Sequence, residues 1–169
     1  MIASALEGFE RDQLPFAVVL VEVLDLERPA AHPGRLHDLT REIEGALTRA
    51  LLTIGGRPAP SLTPERPGRY WLLVPETDRL GALEFTDRLL SCLQAVEAAG
   101  RADPTARYFA ALSAPLRASR DGPPLRLAVG AAVCPENGRD PAELMAHAEA
   151  ELATMRAAER HTLSAAEPV

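Results

Sequence analysis

The sequence points to an α+β domain of ferredoxin-like type, a βαββαβ sheet with its helices on one side. Three observations lead there. Phe16 to Val21 is a six-residue apolar run rich in valine, which fits a central strand buried on both faces. In RPGRYWLLVP, Pro67-Gly68 reads as a tight turn and Tyr70 to Val74 as the strand leaving it. Around these runs lie long segments with apolar residues at helical spacing, in the order β-α-β-β-α-β-α after a lead-in helix.

Each element has its own signal. Ile2 to Asp12 reads as a short helix closed by Leu14-Pro15. The strand in PFAVVLVEVLDLE is interrupted by Glu22, which alternation places on the face of Val18, Leu20 and Leu24. A Pro/Gly-rich loop then feeds a helix with Leu36, Leu39, Ile43, Leu47, Ala50 and Leu51 on one side, stopped by Gly55-Gly56. The proline-broken stretch 57–66 reads as a short edge strand before the hairpin. Thr77 or Asp78 caps a second helix through Ala98, with Ala82, Phe85, Leu89, Leu93 and Val96 facing inward. LRLAVGAAVCP is another buried strand. In the last helix Asp140 is the N-cap, Pro141 takes the first helical position and Glu143 completes a capping box. Its core stripe is Leu144, Ala148, Leu152 and Met155. The expected organisation is a lead-in helix at 1–13, one domain at 14–161 and a flexible tail at 162–169. Residues 100–124 form a less regular insertion, in which Tyr108, Phe109 and Leu112 anchor a short helix.

Composition excludes several functions. The 169 residues are enough for one domain with a core. A net charge of −6 disfavours general nucleic-acid binding, which needs a basic surface. Every basic residue apart from histidine is arginine, which is a matter of composition rather than function. Cys92 and Cys134 lie far apart and the four histidines do not cluster, so neither a zinc site nor a redox pair is expected. No apolar run approaches the length of a membrane span, and no signal peptide is evident; the expected location is the cytoplasm.

Three stretches resemble the GGDEF domains, the diguanylate cyclases. VVLVEVLDL resembles their first strand, which typically reads DxDxF. RPGRYWLLVP falls where their signature hairpin and following strand lie. LAVGAAVCPENGRDPAELMAHAEAELATMRAAERH resembles, without a gap, the strand and helix that close the family's domain. The resemblance covers Leu14 to His161 apart from the insertion. It implies a palm-type fold in which active members, working as dimers, condense two GTP molecules to cyclic di-GMP. Two divalent metals held by carboxylates of the first strand and the hairpin would neutralise the triphosphate.

This chain departs from that pattern where the chemistry sits. The five signature positions fall on Arg66, Pro67, Gly68, Arg69 and Tyr70, so only the final aromatic is kept. Gly68 and Arg69 replace the two acidic residues, and a guanidinium neither ligates Mg²⁺ nor attracts it. Glu22 and Leu24 stand where two aspartates would be. The RxxD motif linked to product inhibition is reduced to Arg57-Pro58-Ala59-Pro60. The expectation is a degenerate, catalytically inactive domain with no cofactor. It would act as a regulatory module that docks a partner protein or a second copy of itself.

The alternative is a sensor that binds GTP or cyclic di-GMP without turnover. The resemblance gives Arg156 and Arg160 phosphate-contacting roles and aligns Asp38 with a carboxylate that reads guanine. With Arg66 and Arg69 these would make a cationic cleft able to grip phosphate. Against this, Arg156 and Arg160 share a helix with Glu149, Glu151 and Glu159, so a solvated, ion-paired face accounts for them more simply. Asp38 is most simply the N-cap of the first long helix. Glu22, at a buried strand end, needs a partner, and Arg69 across the hairpin is the natural one. Of Tyr70 and Trp71, one is expected in the core and the other partly exposed; an exposed Trp71 would mark a contact surface.

Overall fold

The structure, a computed structural model, describes residues 1–24, 26, 33–55, 58–93 and 126–166, the side chains of 33–36 and 159–166 excepted. Its elements are α1 (Ile2–Asp12), β1 (Phe16–Val23), α2 (Pro33–Ile54), β2 (Ser61–Arg66), β3 (Arg69–Val74), α3 (Arg79–Leu93), β4 (Leu127–Cys134) and α4 (Pro141–Ala166). The expected continuation of α3 to Val96 and Ala98 lies outside the described residues, as does the insertion at 100–124.

The strands form one sheet in the order β2-β3-β1-β4, with every neighbouring pair antiparallel. This is the ferredoxin-like order. β1 and β2 run parallel with β3 between them, and β3 and β4 run parallel with β1 between them. Helices α2 and α3 make these two crossovers, and the right-handed rule sends both to the same face. There Leu39, Ile43 and Leu47 of α2 and Phe85, Leu89 and Leu93 of α3 pack on Ala17, Val19, Val21, Tyr70 and Leu72.

The helices are not confined to that side. Ile2, Leu6 and Phe9 of α1, with Leu144, Ala148 and Leu152 of α4, cover the opposite face over Val18, Leu20, Trp71, Ala128 and Ala132. The reason is visible in β1, where all eight residues are buried. A strand apolar on both faces needs cover on both. Tyr70 and Trp71 are therefore both core residues, on opposite faces, rather than one core and one surface residue.

Local signals set the helix ends. Asp78 caps α3, its Oδ1 accepting the Gly81 N–H at 2.8 Å. Asp140 caps α4, accepting the N–H groups of Ala142 at 2.8 Å and Glu143 at 3.0 Å. Glu143 reaches back one residue further than a standard capping box, to the Arg139 N–H at 2.9 Å. Asp38 is not an N-cap: α2 starts at Pro33, which leaves Asp38 exposed inside the helix. α4 runs on to Ala166, past the point where a tail was expected.

β4 and α4 approach very closely. A Cβ at Gly130 would lie 2.0 Å from the Ala148 carbonyl oxygen and 2.5 Å from the Leu152 nitrogen. The outer edge of β4 is closed by side chains. The N–H groups of Val129, Ala131 and Val133 are taken by Met155 Sδ, Glu151 Oε2 and Asn137 Oδ1. An edge capped in this way cannot template another strand.

Candidate functional site

The hairpin between β2 and β3 carries the candidate site. Pro67 supplies the fixed φ and Gly68 the positive one, 78°, that a tight Pro-Gly turn requires. The strand register places Arg69 directly opposite Glu22 of β1, and Arg66 opposite Arg69. Glu22 and Arg69 thus share the sheet face under α4, next to Leu20 and Trp71. α4 adds Glu149 and Arg156, which lie on the same side of the helix as core Leu152.

These residues form one ion-pair cluster. Glu22 accepts from Arg66 at 2.8 Å and from Arg69 at 3.3 Å, and is also in direct contact with Arg156. Arg69 donates through Nε to Glu65 at 2.8 Å and through Nη2 to Glu149. Glu65 also accepts the Trp71 indole N–H at 2.9 Å. The Arg69 and Glu22 side chains are 9% and 11% exposed, whereas Arg66 is 56% exposed. Burial opposes the charge of Arg69, but the hydrogen bonds and negative charge of Glu149 and Glu65 outweigh it. The guanidinium is held above its ordinary pKa.

The pairing of Glu22 with Arg69 is the one expected from the sequence. Arg66, Arg69 and Arg156 are indeed brought together, but among the described residues they do not stand as cations alone. Three carboxylates, from Glu22, Glu65 and Glu149, match the three guanidiniums. Asp38 takes no part in these contacts, and the side chain of Arg160 lies outside the described ones. Arg156 does not belong to a merely solvated helix face; it reaches across to the sheet. Glu65, Glu149 and the Trp71 indole are the members that sequence reasoning missed. Their signals were a carboxylate four residues before Arg69, a Trp two residues after it on the same face, and a carboxylate seven residues before Arg156.

The cluster does not suit the divalent metals implied by the resemblance. Mg²⁺ demands oxygen ligands in near-ideal octahedral array. The one carboxylate of β1 here faces three guanidiniums, and Leu24 offers none. Among the described residues no three His, Cys, Asp or Glu side chains are grouped to hold a metal. Clefts of about 280 and 410 Å³ lie at the other end of β3, around Val74 and Pro75, and no cluster residue lines them.

The sheet order, the helices on both faces and the hairpin at this position together define the GGDEF-domain fold. Solved structures of that fold superpose over nearly the whole chain. A sensory box/GGDEF family protein from Caulobacter crescentus matches at a TM-score of 0.64 and 19% identity, over 92% of this chain and 87% of that one. The GGDEF domain of TpbB, also called YfiN, from Pseudomonas aeruginosa matches at 0.65 and 17%, over 92% and 78%. The diguanylate cyclase SiaD of Pseudomonas aeruginosa, in complex with its activator SiaC, matches at 0.64 and 13%, over 93% and 52%. No family's sequence model matches the chain, and no curated protein matches it by sequence. Among the described residues no helix is long and apolar enough to cross a membrane.

Proposed function

We propose that this chain is a GGDEF-fold domain without cyclase chemistry that serves as a regulatory, protein-binding module in bacterial signalling. One observation carries the reading: the Glu22 carboxylate is enclosed by Arg66, Arg69 and Arg156. Phosphoryl transfer between nucleotides depends on metal ions to neutralise the triphosphate. Positive side chains at the metal position repel such ions, and each carboxylate of the cluster is already engaged. The protein-binding half is supported by SiaD, a cyclase of the same fold seen with its protein activator.

The competing reading is a sensor for GTP or cyclic di-GMP. The cluster speaks against it, because its carboxylates offset its guanidiniums and Arg69 spends Nε and both terminal nitrogens on them. The test is direct. Purified chain incubated with GTP and Mg²⁺ or Mn²⁺ yields no cyclic dinucleotide by chromatography. Its melting temperature stays unchanged with GTP or cyclic di-GMP, with or without metal, because a ligand selective for the native state must stabilise it. Turnover would overturn the inactive reading. A thermal shift lost in Arg156→Ala would establish the sensor instead.

A further inference from the structure

The outer face of α3 is unlike an ordinary solvated helix face. Leu80 and Leu83 are 66% and 61% exposed, and Leu90 is half-buried. At about 100° per residue, Arg79, Leu80, Leu83, Asp87 and Leu90 fall within an arc of about 100°. That arc points away from Ala82, Phe85, Leu89 and Cys92, which fill the core.

The charges on this face have a symmetry. Arg79 stands four residues before Leu83 and Asp87 four residues after it. Both are exposed, and among the described residues neither has an ion-pair partner. Two copies of α3 crossing antiparallel at Leu83 would set Arg79 of each against Asp87 of the other. A two-fold axis produces that contact twice from one surface. Parallel pairing would instead set arginine against arginine and aspartate against aspartate, which electrostatics penalises.

We propose that this face docks a second copy of the same chain, antiparallel about Leu83, with Leu80 and Leu83 at the centre and Arg79–Asp87 pairs at both ends. The contact is helix-sized and belongs to the small, transient class of interfaces. The inference does not rest on the Glu22 cluster and holds whether or not the chain turns over GTP.

Charge exchange tests it. Sedimentation velocity of the full chain across a concentration series should show a reversible dimer. Arg79→Asp and Asp87→Arg should each weaken it about tenfold or more, because each places like charges together at both ends. An equimolar mixture of the two variants should recover association, since every pair in the mixed dimer is again opposite in sign. Leu83→Glu should abolish the dimer while leaving the melting temperature within about 2 °C, as expected for an exposed site. A chain that stays monomeric at several hundred micromolar overturns the proposal. So does a dimer indifferent to either charge reversal, or a mixture that fails to recover association.

Discussion

The Arg156 guanidinium of α4 closes on the Glu22 carboxylate of β1, the same carboxylate that Arg66 and Arg69 bind from the hairpin. The last helix, the first strand and the hairpin tip are joined by that one side chain. A carboxylate in this setting is held by its surroundings. Its removal leaves three cations beside a largely dry sheet face.

Glu22→Gln should therefore destabilise the fold by about 2–3 kcal/mol. Breaking a buried ion pair from one side typically costs about 3–5 kcal/mol. The lower value is expected because Arg66 is solvated and Arg69 keeps Glu65 and Glu149. Urea unfolding followed by Trp71 fluorescence measures it, and the indole bonded to Glu65 should also report the disturbance in its emission. A loss under about 0.5 kcal/mol would place the cluster among surface ion pairs of little consequence.

Much of this arrangement was legible because local rules decided it. The all-apolar run of β1, the Pro67-Gly68 turn and the Asp140-Pro141 start of α4 each depend on a few neighbouring residues. The Glu22–Arg69 pair followed from alternation and a short hairpin. What stayed hidden depended on long-range placement. Glu65 and Glu149 become partners of Arg69 only once β2 is bulged between Pro64 and Arg66 and α4 is laid over the sheet. The second helical layer was hidden in the same way, although the double burial inferred for β1 already required it. Asp38 misled because a carboxylate before an apolar stripe reads as a cap, whereas Pro33 starts the helix earlier.

Gly130→Ala should be among the most damaging small substitutions. The added methyl would meet backbone of α4, the Ala148 carbonyl and the Leu152 nitrogen, rather than a flexible side chain. α4 must lift or slide, and overpacking of this kind costs about 1–3 kcal/mol or more. A lift would also weaken the contact between Arg156 and Glu22. Thermal melts of wild type and variant decide it; equal melting temperatures would mean that strand and helix are not in such close contact.

Asp140→Ala removes the acceptor for two backbone N–H groups at the start of α4. A lost N-cap costs about 1 kcal/mol. Asp140→Asn should recover most of it, since an amide oxygen also caps. Urea midpoints of the three proteins rank as wild type, Asn, Ala if the cap acts through its hydrogen bonds. Equal midpoints for Asn and Ala would assign the effect to charge at the helix terminus instead.

Tyr70 sets how the fold responds to alkaline pH. Its ring lies wholly in the α2–α3 core, and among the described residues its buried hydroxyl meets no partner in full hydrogen-bond geometry, although the Gly68 backbone interacts with it. Burial pushes its pKa from 10.0 up to about 12; a Gly68 backbone group opposes this and the charge of Glu44 adds to it. Because the folded value lies above the unfolded one, the stability due to the neutral phenol is complete below about pH 10. It is lost as pH rises toward 12, where the unfolded chain has already released its proton. The loss amounts to about 2–3 kcal/mol at most. Tyr70→Phe removes both the titration and the poorly bonded hydroxyl. It should gain about 1 kcal/mol at neutral pH, because a buried polar group without a well-formed hydrogen bond is a net cost. Its stability should also decline less between pH 10 and 12 than that of wild type. Chemical unfolding of both proteins across that range tests the pair of effects, and parallel pH profiles would show that the Tyr70 hydroxyl is solvated in the folded protein.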